Sequence, residues 1–402
     1  MRGDVGLGKR AWNLVTGVMV TVAVTGMLAA CSGSKAAPGA AAAATATKPN
    51  VPGMRLLSRG LPAFASSGAA SAANDGDYNS WWRSARVPAE LAYDLSSIAA
   101  SGRQSILLAW YNDVTYGYDH TLLQQVGYNN PRNYTIEANA GRGGGSPPGS
   151  GWVVLATVAD NTLHSREHLL DFRGYNWIRI NATAADGSAG NMDILLNMDI
   201  YDASSGAPDS WLFAGDSITA NGMGHANFPS TASESFGNQV GALSGITPVQ
   251  ENAGMPDWTA ATLLQHLPGW LRSFPGHYVT INVGTNDAAG GIATGEFYNS
   301  MSTMIAAVLA TGKIPLVPSI PWSREQTHAA NIPGLNAQIR KLYQAFPKII
   351  PGPDLYRYFS EHQNLISADD VHPTDSGYAA LRTLWATVAV QSIYKSAVGA
   401  SP

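Results

Sequence analysis

The sequence contains little cysteine and little charge. Among its 402 residues there is one cysteine, 13% are charged, and the formal net charge at pH 7 is −4. A single cysteine excludes a disulfide framework within the chain and any zinc site built from several cysteines. The slightly acidic balance, without a long basic block, argues against a nucleic-acid partner, because phosphate backbones are bound by clustered lysine and arginine. A hydrophobic share of 45% excludes global disorder.

The longest apolar run lies at the N terminus. Three basic residues among the first ten precede a largely apolar stretch over residues 11–30, and Cys31 follows it. This pattern predicts an export signal over residues 1–30. Leu-Ala-Ala-Cys at 28–31 resembles the lipobox of bacterial lipoproteins, which implies cleavage before Cys31, acylation of its side chain and a lipid anchor in the membrane outside the cytoplasm. The stretch is also long enough to span a bilayer as an uncleaved anchor, so that alternative stays open.

Small residues dominate the next segment, residues 31–74, which shows no sustained apolar periodicity. Alanine, glycine, serine, threonine and proline offer little side chain to bury, and this composition is typical of a flexible linker. We therefore expect a tether between the membrane and the folded part of the chain.

Residues 75–205 have the pattern of a β-sandwich. Polar and apolar residues alternate in short runs separated by turn-forming residues, which predicts strands at 105–111, 133–138, 152–158, 177–182 and 192–201. No long helical pattern lies between these runs, as expected for a sandwich. The order of the strands, with Gly151-Trp152 opening one and Trp177-Ile178-Arg179 in another, resembles the galactose-binding-like (discoidin-type) jelly roll.

That resemblance implies carbohydrate binding through exposed aromatic rings. The candidates are Trp110, Tyr111, Tyr116 and Tyr118, in or beside a predicted loop. The alternative is that these rings belong to the core, which is the commoner place for Trp and Tyr in strands, and that the domain only caps its neighbour.

Two histidines in the same region have a spacing seen in metal sites. His164 and His168 are four residues apart, but they fall in predicted strand and turn, and no third ligand is near them in the sequence. We therefore expect surface histidines here and not a metal site.

Residues 206–396 have a different pattern, in which apolar strands alternate with helices. Strands are predicted at 211–214, 247–250, 278–283, 314–318 and 348–350, and helices at 259–271, 295–309, 334–345 and 376–392. Such alternation predicts a parallel α/β sheet. Ligands bind such sheets at the carboxyl ends of the strands.

Four short motifs follow strands or precede the last helix. They are Gly215-Asp216-Ser217, Asn252-Ala253-Gly254, Gly284-Thr285-Asn286-Asp287 and Asp369-Asp370-Val371-His372-Pro373. A serine in a strand-to-helix turn is exposed for chemistry, although serine is also a common helix N-cap. An asparagine after a strand could equally be a turn residue that satisfies its own backbone.

The four motifs together suit acyl transfer, which needs a nucleophile, a base and an acid that orients the base. Ser217 is the candidate nucleophile. His372 is the candidate base, because among the nine histidines we identify it alone as lying in a turn beside an acid at suitable spacing. Asp369 would then accept a hydrogen bond from the other ring nitrogen and fix the tautomer.

In order and separation, the motifs resemble the four blocks of the SGNH (GDSL-type) hydrolases, across residues 211–388. The resemblance implies a three-layer α/β/α domain and ester hydrolysis without a metal or an organic cofactor. It also implies an oxyanion hole formed by the backbone N–H groups of Ser217 and Gly254 and by the side chain of Asn286. Loop residues Asn221, His225 and Trp322 are further candidates for the pocket, because they lie near the motifs.

Three functions fit the sequence. The favoured one is an exported esterase that removes short acyl groups, acetyl above all, from a carbohydrate, because an export signal, a sugar-binding-like domain and a weakly charged surface occur together. A jelly roll fused to an SGNH domain also resembles the arrangement in several carbohydrate acetylesterases. The second is a lipid or small-ester hydrolase at the membrane. The third is a non-catalytic glycan-binding lipoprotein, against which the complete set of catalytic residues argues. The acyl length, the alcohol and the oligomeric state stay open.

Overall fold

The computed structural model describes residues 54–112, 116–119, 124–127, 129–186, 192–206, 208–225 and 235–394. Cys31, the predicted export signal and the first part of the predicted tether lie outside these residues, as do the side chains of Tyr116 and Tyr118. Over the described part of the chain, no helix combines the length and apolarity needed to cross a bilayer.

The N-terminal half of the described chain is a β-sandwich. Its strands are β1 (Arg55–Leu56), β2 (Ala63–Ala65), β3 (Trp82–Arg83), β4 (Ala89–Asp94), β5 (Ser105–Tyr111), β6 (Tyr116–Asp119), β7 (Gln124–Gly127), β8 (Pro131–Asn139), β9 (Val153–Val158), β10 (Ser165–Asp171), β11 (Trp177–Ala185) and β12 (Leu195–Asp202). One sheet has the order β1-β12-β5-β10, with β3 also on β12, and the other β2-β4-β11-β8-β9; β6 and β7 pair as a separate hairpin. Pairing within both main sheets is antiparallel, and inward-facing apolar residues of the two form one core, as the alternating sequence predicts.

The tether prediction is wrong for residues 54–74. These residues form β1, β2 and a 3-10 turn at Ala70–Ala73, and the side chains of Leu57 and Ala73 are buried in the sandwich core. Strands of two and three residues carry too little periodicity to be recognised in a stretch of small residues.

The structure also corrects the roles assigned to four side chains. Trp110 and Tyr111 are fully buried in β5, where Trp110 Nε1 donates to the hydroxyl of Tyr134 at 3.1 Å, so neither ring is available to stack on a sugar. His164 and His168 are buried and not on the surface. His164 packs edge-on against a tryptophan ring, and burial lowers the pKa of His168 to about 3. Within the described residues, no group of three or more possible metal ligands occurs.

The C-terminal half is a three-layer α/β/α domain, which confirms the predicted fold class. Its strands are β13 (Ser210–Gly215), β14 (Val249–Gly254), β15 (Tyr278–Asn282), β16 (Ile314–Val317) and β17 (Ile350–Pro351). Its helices are α1 (Ser217–Gly222), α2 (Phe236–Ser244), α3 (Ala260–Ser273), α4 (Thr285–Ala289), α5 (Thr294–Ala310), α6 (Gln326–Ala345), α7 (Leu355–Glu361) and α8 (Asp375–Ser392). The strands pair in parallel in the order β14-β13-β15-β16-β17.

Successive residues of β13 point to opposite faces of this sheet. Leu212 joins the core formed with α3, α5 and α6, and Trp211 and Phe213 join the core formed with α2, α7 and α8. Burial on both faces explains why the strand is continuously apolar.

Strand β10 of the sandwich packs beside β14, the edge strand of the parallel sheet. Ser165 Oγ donates to the Asn252 carbonyl at 3.3 Å, and Leu163 is buried in the core shared with α3 and α5. Two carboxyl groups are buried at this junction: Glu167, which accepts from Ser210 Oγ, and Glu251 on β14. Burial raises the pKa of both, to about 8 for Glu167, and the neighbouring Glu167 carboxylate raises the pKa of Glu251 further.

Candidate active site

The candidate nucleophile lies in the turn that joins β13 to α1. Ser217 is the first residue of α1, and Asp216 before it is the N-cap, whose Oδ1 accepts from the Ile218 N–H at 3.0 Å. The turn needs glycine at position 215, because a Cβ there would lie 2.3 Å from the Asn282 carbonyl oxygen. Ser217 therefore lies, partly exposed, just beyond the carboxyl end of β13, as the sequence predicts.

The candidate base and acid come from the loop before α8. His372 Nε2 is 2.8 Å from Ser217 Oγ, and His372 Nδ1 is 2.7 Å from Asp369 Oδ2. The three side chains form one continuous series of hydrogen bonds from a hydroxyl through an imidazole to a carboxyl group. This is the arrangement in which an imidazole can take the hydroxyl proton while an acid fixes its orientation.

The charge on Asp369 determines which ring nitrogen of His372 carries the proton. Partial burial alone would raise the pKa of Asp369, but hydrogen bonds from Ser367 Oγ, the Val371 N–H and the N–H and ring of His372 hold that pKa well below its usual range. An ionised carboxylate only accepts hydrogen bonds, so His372 Nδ1 carries the ring proton and donates a hydrogen bond to Asp369. Nε2 then presents its lone pair to the Ser217 hydroxyl.

The two other candidates for the oxyanion hole both have protein partners in this structure. The Gly254 N–H donates to Asn252 Oδ1 at 2.9 Å, and Asn286 Nδ2 donates to the Trp258 carbonyl at 3.0 Å. Gly254 lies directly against α1, since a Cβ there would be 2.2 Å from the Ala220 nitrogen. An amide side chain has two N–H donors, and the Trp258 carbonyl takes one of those on Asn286.

Two buried carboxyl groups lie next to these motifs. Burial raises the pKa of Asp216 to about 7, against the effect of hydrogen bonds from the Ile218 N–H and Thr285 and of the neighbouring His372. Burial likewise raises the pKa of Asp287 to about 6, although its Oδ2 accepts from the Ala260 N–H at 2.9 Å. Asp216 is the N-cap of α1, and Asp287, within α4, accepts from the first N–H group of α3, so a structural role explains both positions.

Sequence reasoning missed a second acid–histidine pair with the same spacing. Glu325 Oε2 lies 2.6 Å from His328 Nδ1, but this pair opens α6, with His328 buried there, and Glu325 is its N-cap. The spacing of Glu325-x-x-His328 is visible in the sequence; its position at a helix start is what separates it from the triad candidates.

The three residues suggested for the pocket have different surroundings. His225 is buried against the ring of Tyr111 in the sandwich, at a centroid distance of 3.8 Å, so the pocket assignment is wrong for it. Asn221 lies at the end of α1 and donates to the Tyr378 hydroxyl at 3.3 Å. Trp322 packs, half-buried, against the core on the α8 side of the sheet.

Comparison with known proteins finds a family model that matches much of this region. Residues 213–380 match the model of the GDSL-like Lipase/Acylhydrolase family, whereas no curated protein matches the chain. Among solved structures, the lipase/acylhydrolase from Enterococcus faecalis is 21% identical over 45% of this chain and 94% of its own, with a TM-score of 0.38. Axe2, an acetylxylan esterase from Geobacillus stearothermophilus, is 16% identical over 47% and 95%, with a TM-score of 0.38. The psychrotrophic esterase EstA from Pseudoalteromonas sp. is 14% identical over 47% and 98%, with a TM-score of 0.37.

The matched segment contains both Ser217 and the loop with Asp369 and His372. It also contains most of the parallel sheet whose strand ends hold the other two motifs. The C-terminal region of the chain is accordingly similar to the GDSL-like lipase/acylhydrolase family over residues 213–380.

Proposed function

We propose that this protein hydrolyses short acyl esters, acetyl esters above all, of a carbohydrate, through an acyl-enzyme on Ser217. The observation that carries the proposal is the series of hydrogen bonds from Ser217 through His372 to Asp369. In the first half of the reaction His372 takes the hydroxyl proton as Ser217 Oγ attacks the ester carbonyl. The same imidazole then returns the proton to the departing sugar oxygen.

In the second half a water molecule replaces the sugar. His372 takes a proton from that water, the hydroxide adds to the acyl-serine carbonyl, and collapse of the intermediate releases the carboxylic acid and restores the Ser217 hydroxyl. Throughout, Asp369 keeps Nδ1 protonated and balances the positive charge that develops on the ring. The backbone N–H of Ser217 and the second amide hydrogen of Asn286 are the proposed donors to the negative oxygen of both tetrahedral intermediates, and the Gly254 N–H joins them when it turns from Asn252 Oδ1 to that oxygen.

The openness of the triad supports a hydrophilic, bulky alcohol. The side chains of His372 and Asp369 are 35% and 51% exposed. A triad at an open surface can be approached by an ester group on a polymer, whereas a long acyl chain gains affinity from a deep apolar groove. The predicted export signal and the sandwich beside the catalytic domain favour a glycan as that polymer.

The decisive experiment measures p-nitrophenyl esters of increasing acyl length together with acetate release from acetylated polysaccharides. We expect the highest kcat/KM for acetyl and a loss of activity to about a thousandth or less in Ser217→Ala. Ser273→Ala is a matched control, because this hydroxyl only bonds carbonyls of its own helix. A preference for long acyl chains would favour a lipid ester hydrolase instead. A Ser217→Ala enzyme above about a tenth of the wild-type rate would refute the nucleophile.

We also propose that the protein is anchored outside the cytoplasm through a lipid on Cys31. The support is the sequence alone: the basic start, the apolar stretch and the cysteine at its end. Cys31→Ala should then remove incorporation of a fatty-acid analogue, and labelling that persists in this variant would rule out the anchor at Cys31.

A further inference from the structure

Arg324 lies in the loop between β16 and α6, and its side chain is hydrogen-bonded to the loop that carries Asp369 and His372. Its guanidinium makes hydrogen bonds to four groups: Asp370 Oδ1 at 2.7 Å and the carbonyls of Gln363, Ile366 and Ser367 at 3.2, 3.1 and 2.6 Å. All four belong to the segment that leads into His372. A single side chain from a neighbouring element therefore fixes this segment at both its start and its middle.

The segment bound by Arg324 is a loop whose two ends are joined by backbone hydrogen bonds, with Asp369 between them. Ile366 and Pro373 form an antiparallel bridge, and the Ser367 N–H donates to the His372 carbonyl at 2.8 Å. Within the loop, Asp369 Oδ1 accepts from the N–H groups of Val371 and His372. The orientation of Asp369 towards the imidazole is thus a property of the whole loop.

Asp370 points out of the loop, towards Arg324. Its backbone is in the left-handed region, at a φ of +66°, a conformation that non-glycine residues seldom adopt. Its carbonyl accepts from Ser323 Oγ at 2.7 Å and from the Arg324 N–H at 2.9 Å. The strained turn at Asp370 is held in place by the segment 323–325 and leaves Asp369 facing the imidazole.

From these contacts we infer that Arg324 is a positioning residue of the esterase, which holds the Asp369–His372 loop in the geometry that aligns His372 with Ser217. The inference rests on the proposed function, since it assigns Arg324 a role in that same triad. The ion pair with Asp370 is partly exposed and would by itself contribute little. What distinguishes Arg324 is the fork of N–H donors directed to several acceptors, a geometry that lysine cannot reproduce.

The test compares Arg324→Ala and Arg324→Lys with Arg357→Ala. Arg357 is a matched control because its guanidinium makes an exposed ion pair with a glutamate of its own helix, α7. We expect kcat of Arg324→Ala on p-nitrophenyl acetate to fall by about 10- to 100-fold with KM changed by less than about threefold, because misplacing a catalytic group by about 1 Å has an effect of this size. Arg324→Lys should recover little of the loss, and Arg357→Ala should keep the wild-type kcat.

A double-mutant cycle with Asp369→Asn separates positioning from a general effect on folding. If Arg324 acts by orienting Asp369, removing it from the Asp369→Asn enzyme should lower kcat by only about two- to threefold further, since groups that act as a unit are strongly non-additive. Full multiplication of the two losses would overturn the inference, as would a wild-type kcat in Arg324→Ala. Where Arg324→Ala does not fold, Arg324→Lys takes its place in the cycle. Loss of activity in Ser217→Ala together with an unaffected Arg324→Ala would refute only this inference, whereas an active Ser217→Ala would refute the proposed function.

Discussion

Glu167 and Glu251, the two carboxyl groups buried where β10 meets β14, make the free energy of unfolding depend on pH. The variant Glu167→Gln tests this directly. In the unfolded chain a glutamate releases its proton at about 4.5, whereas in the folded protein burial raises the pKa of Glu167 to about 8. Between these two values the folded state holds a proton that the unfolded state has released. The free energy of unfolding therefore falls as the pH rises through this window, and it levels off above the folded pKa.

The size of the effect follows from the width of the window. Each pH unit corresponds to about 1.4 kcal/mol, so the whole window corresponds to about 4 to 5 kcal/mol for one group. Glutamine keeps an acceptor for the Ser210 hydroxyl and cannot ionise, and its amide can donate to the neighbouring Glu251, whose oxygens have no hydrogen-bond donor within the described structure. Glu167→Gln should match the wild type near pH 4.5 and exceed its stability by about 3 kcal/mol at pH 7.

Chemical denaturation at pH 5, 6, 7 and 8 measures this difference. Glu361→Gln is the control, because this carboxylate is exposed and forms only an ion pair within α7, so its curve should run parallel to the wild type. A stability difference between Glu167→Gln and wild type that stays constant from pH 5 to 8 would refute the reasoning, as would a variant that is less stable at pH 8.

Three further predictions concern the triad and its surroundings. Asp369→Asn should lower kcat by more than about tenfold at neutral pH. Asp370→Asn should lower kcat less, because asparagine can still accept a hydrogen bond from Arg324 and tolerates a positive φ. The opposite order of the two losses would show that Asp369 is not the acid that orients His372. Gly254→Ala should lower kcat because its Cβ would displace the backbone of α1, which begins at Ser217, while Gly295→Ala, with no atom near the new methyl group, should leave it unchanged. Acid should lower kcat/KM, because a protonated imidazole cannot act as a base; a rate that stays flat from acid to neutral pH would exclude a histidine base.

The sequence predicts those strands and helices that are marked by a pattern within a short run of residues. β5 occupies Ser105–Tyr111 as expected, because its apolar run is bounded by polar residues on both sides. The predicted helix at 334–345 starts too late, since α6 begins at Gln326 and contains Pro333 in its interior. A proline usually marks a helix start or end, and here tertiary packing of Ile332 and Leu335 carries the helix through it.

The features that the sequence does not predict depend on contacts between distant residues. Arg324 meets Asp370 across 46 positions, and no local pattern links an arginine after one strand to a loop before the last helix. Likewise, Trp110 and Tyr111 are candidates for sugar binding in the sequence because their strand ends near a loop. In the structure the packing of the two sandwich sheets buries Trp110, and Tyr111 is buried on the opposite face of its sheet, in a cluster that includes Val249 of β14. Motif spacing does predict that Ser217, His372 and Asp369 lie together, because nucleophilic acyl transfer requires those residue types side by side.

The junction of β10 with β14 has a practical consequence for anyone who divides this protein into parts. Cutting the chain near residue 206 would remove the contacts of Ser165 and Leu163 with the parallel sheet and expose β14 to solvent as an edge strand. Exposed edge strands can pair with strands of other chains and so promote aggregation. The same cut would admit water to Glu251 and allow it to ionise. The sandwich therefore acts as a fixed cover of its neighbour, and exchanging it for an unrelated domain would require a substitute for this cover before any change of specificity could be measured.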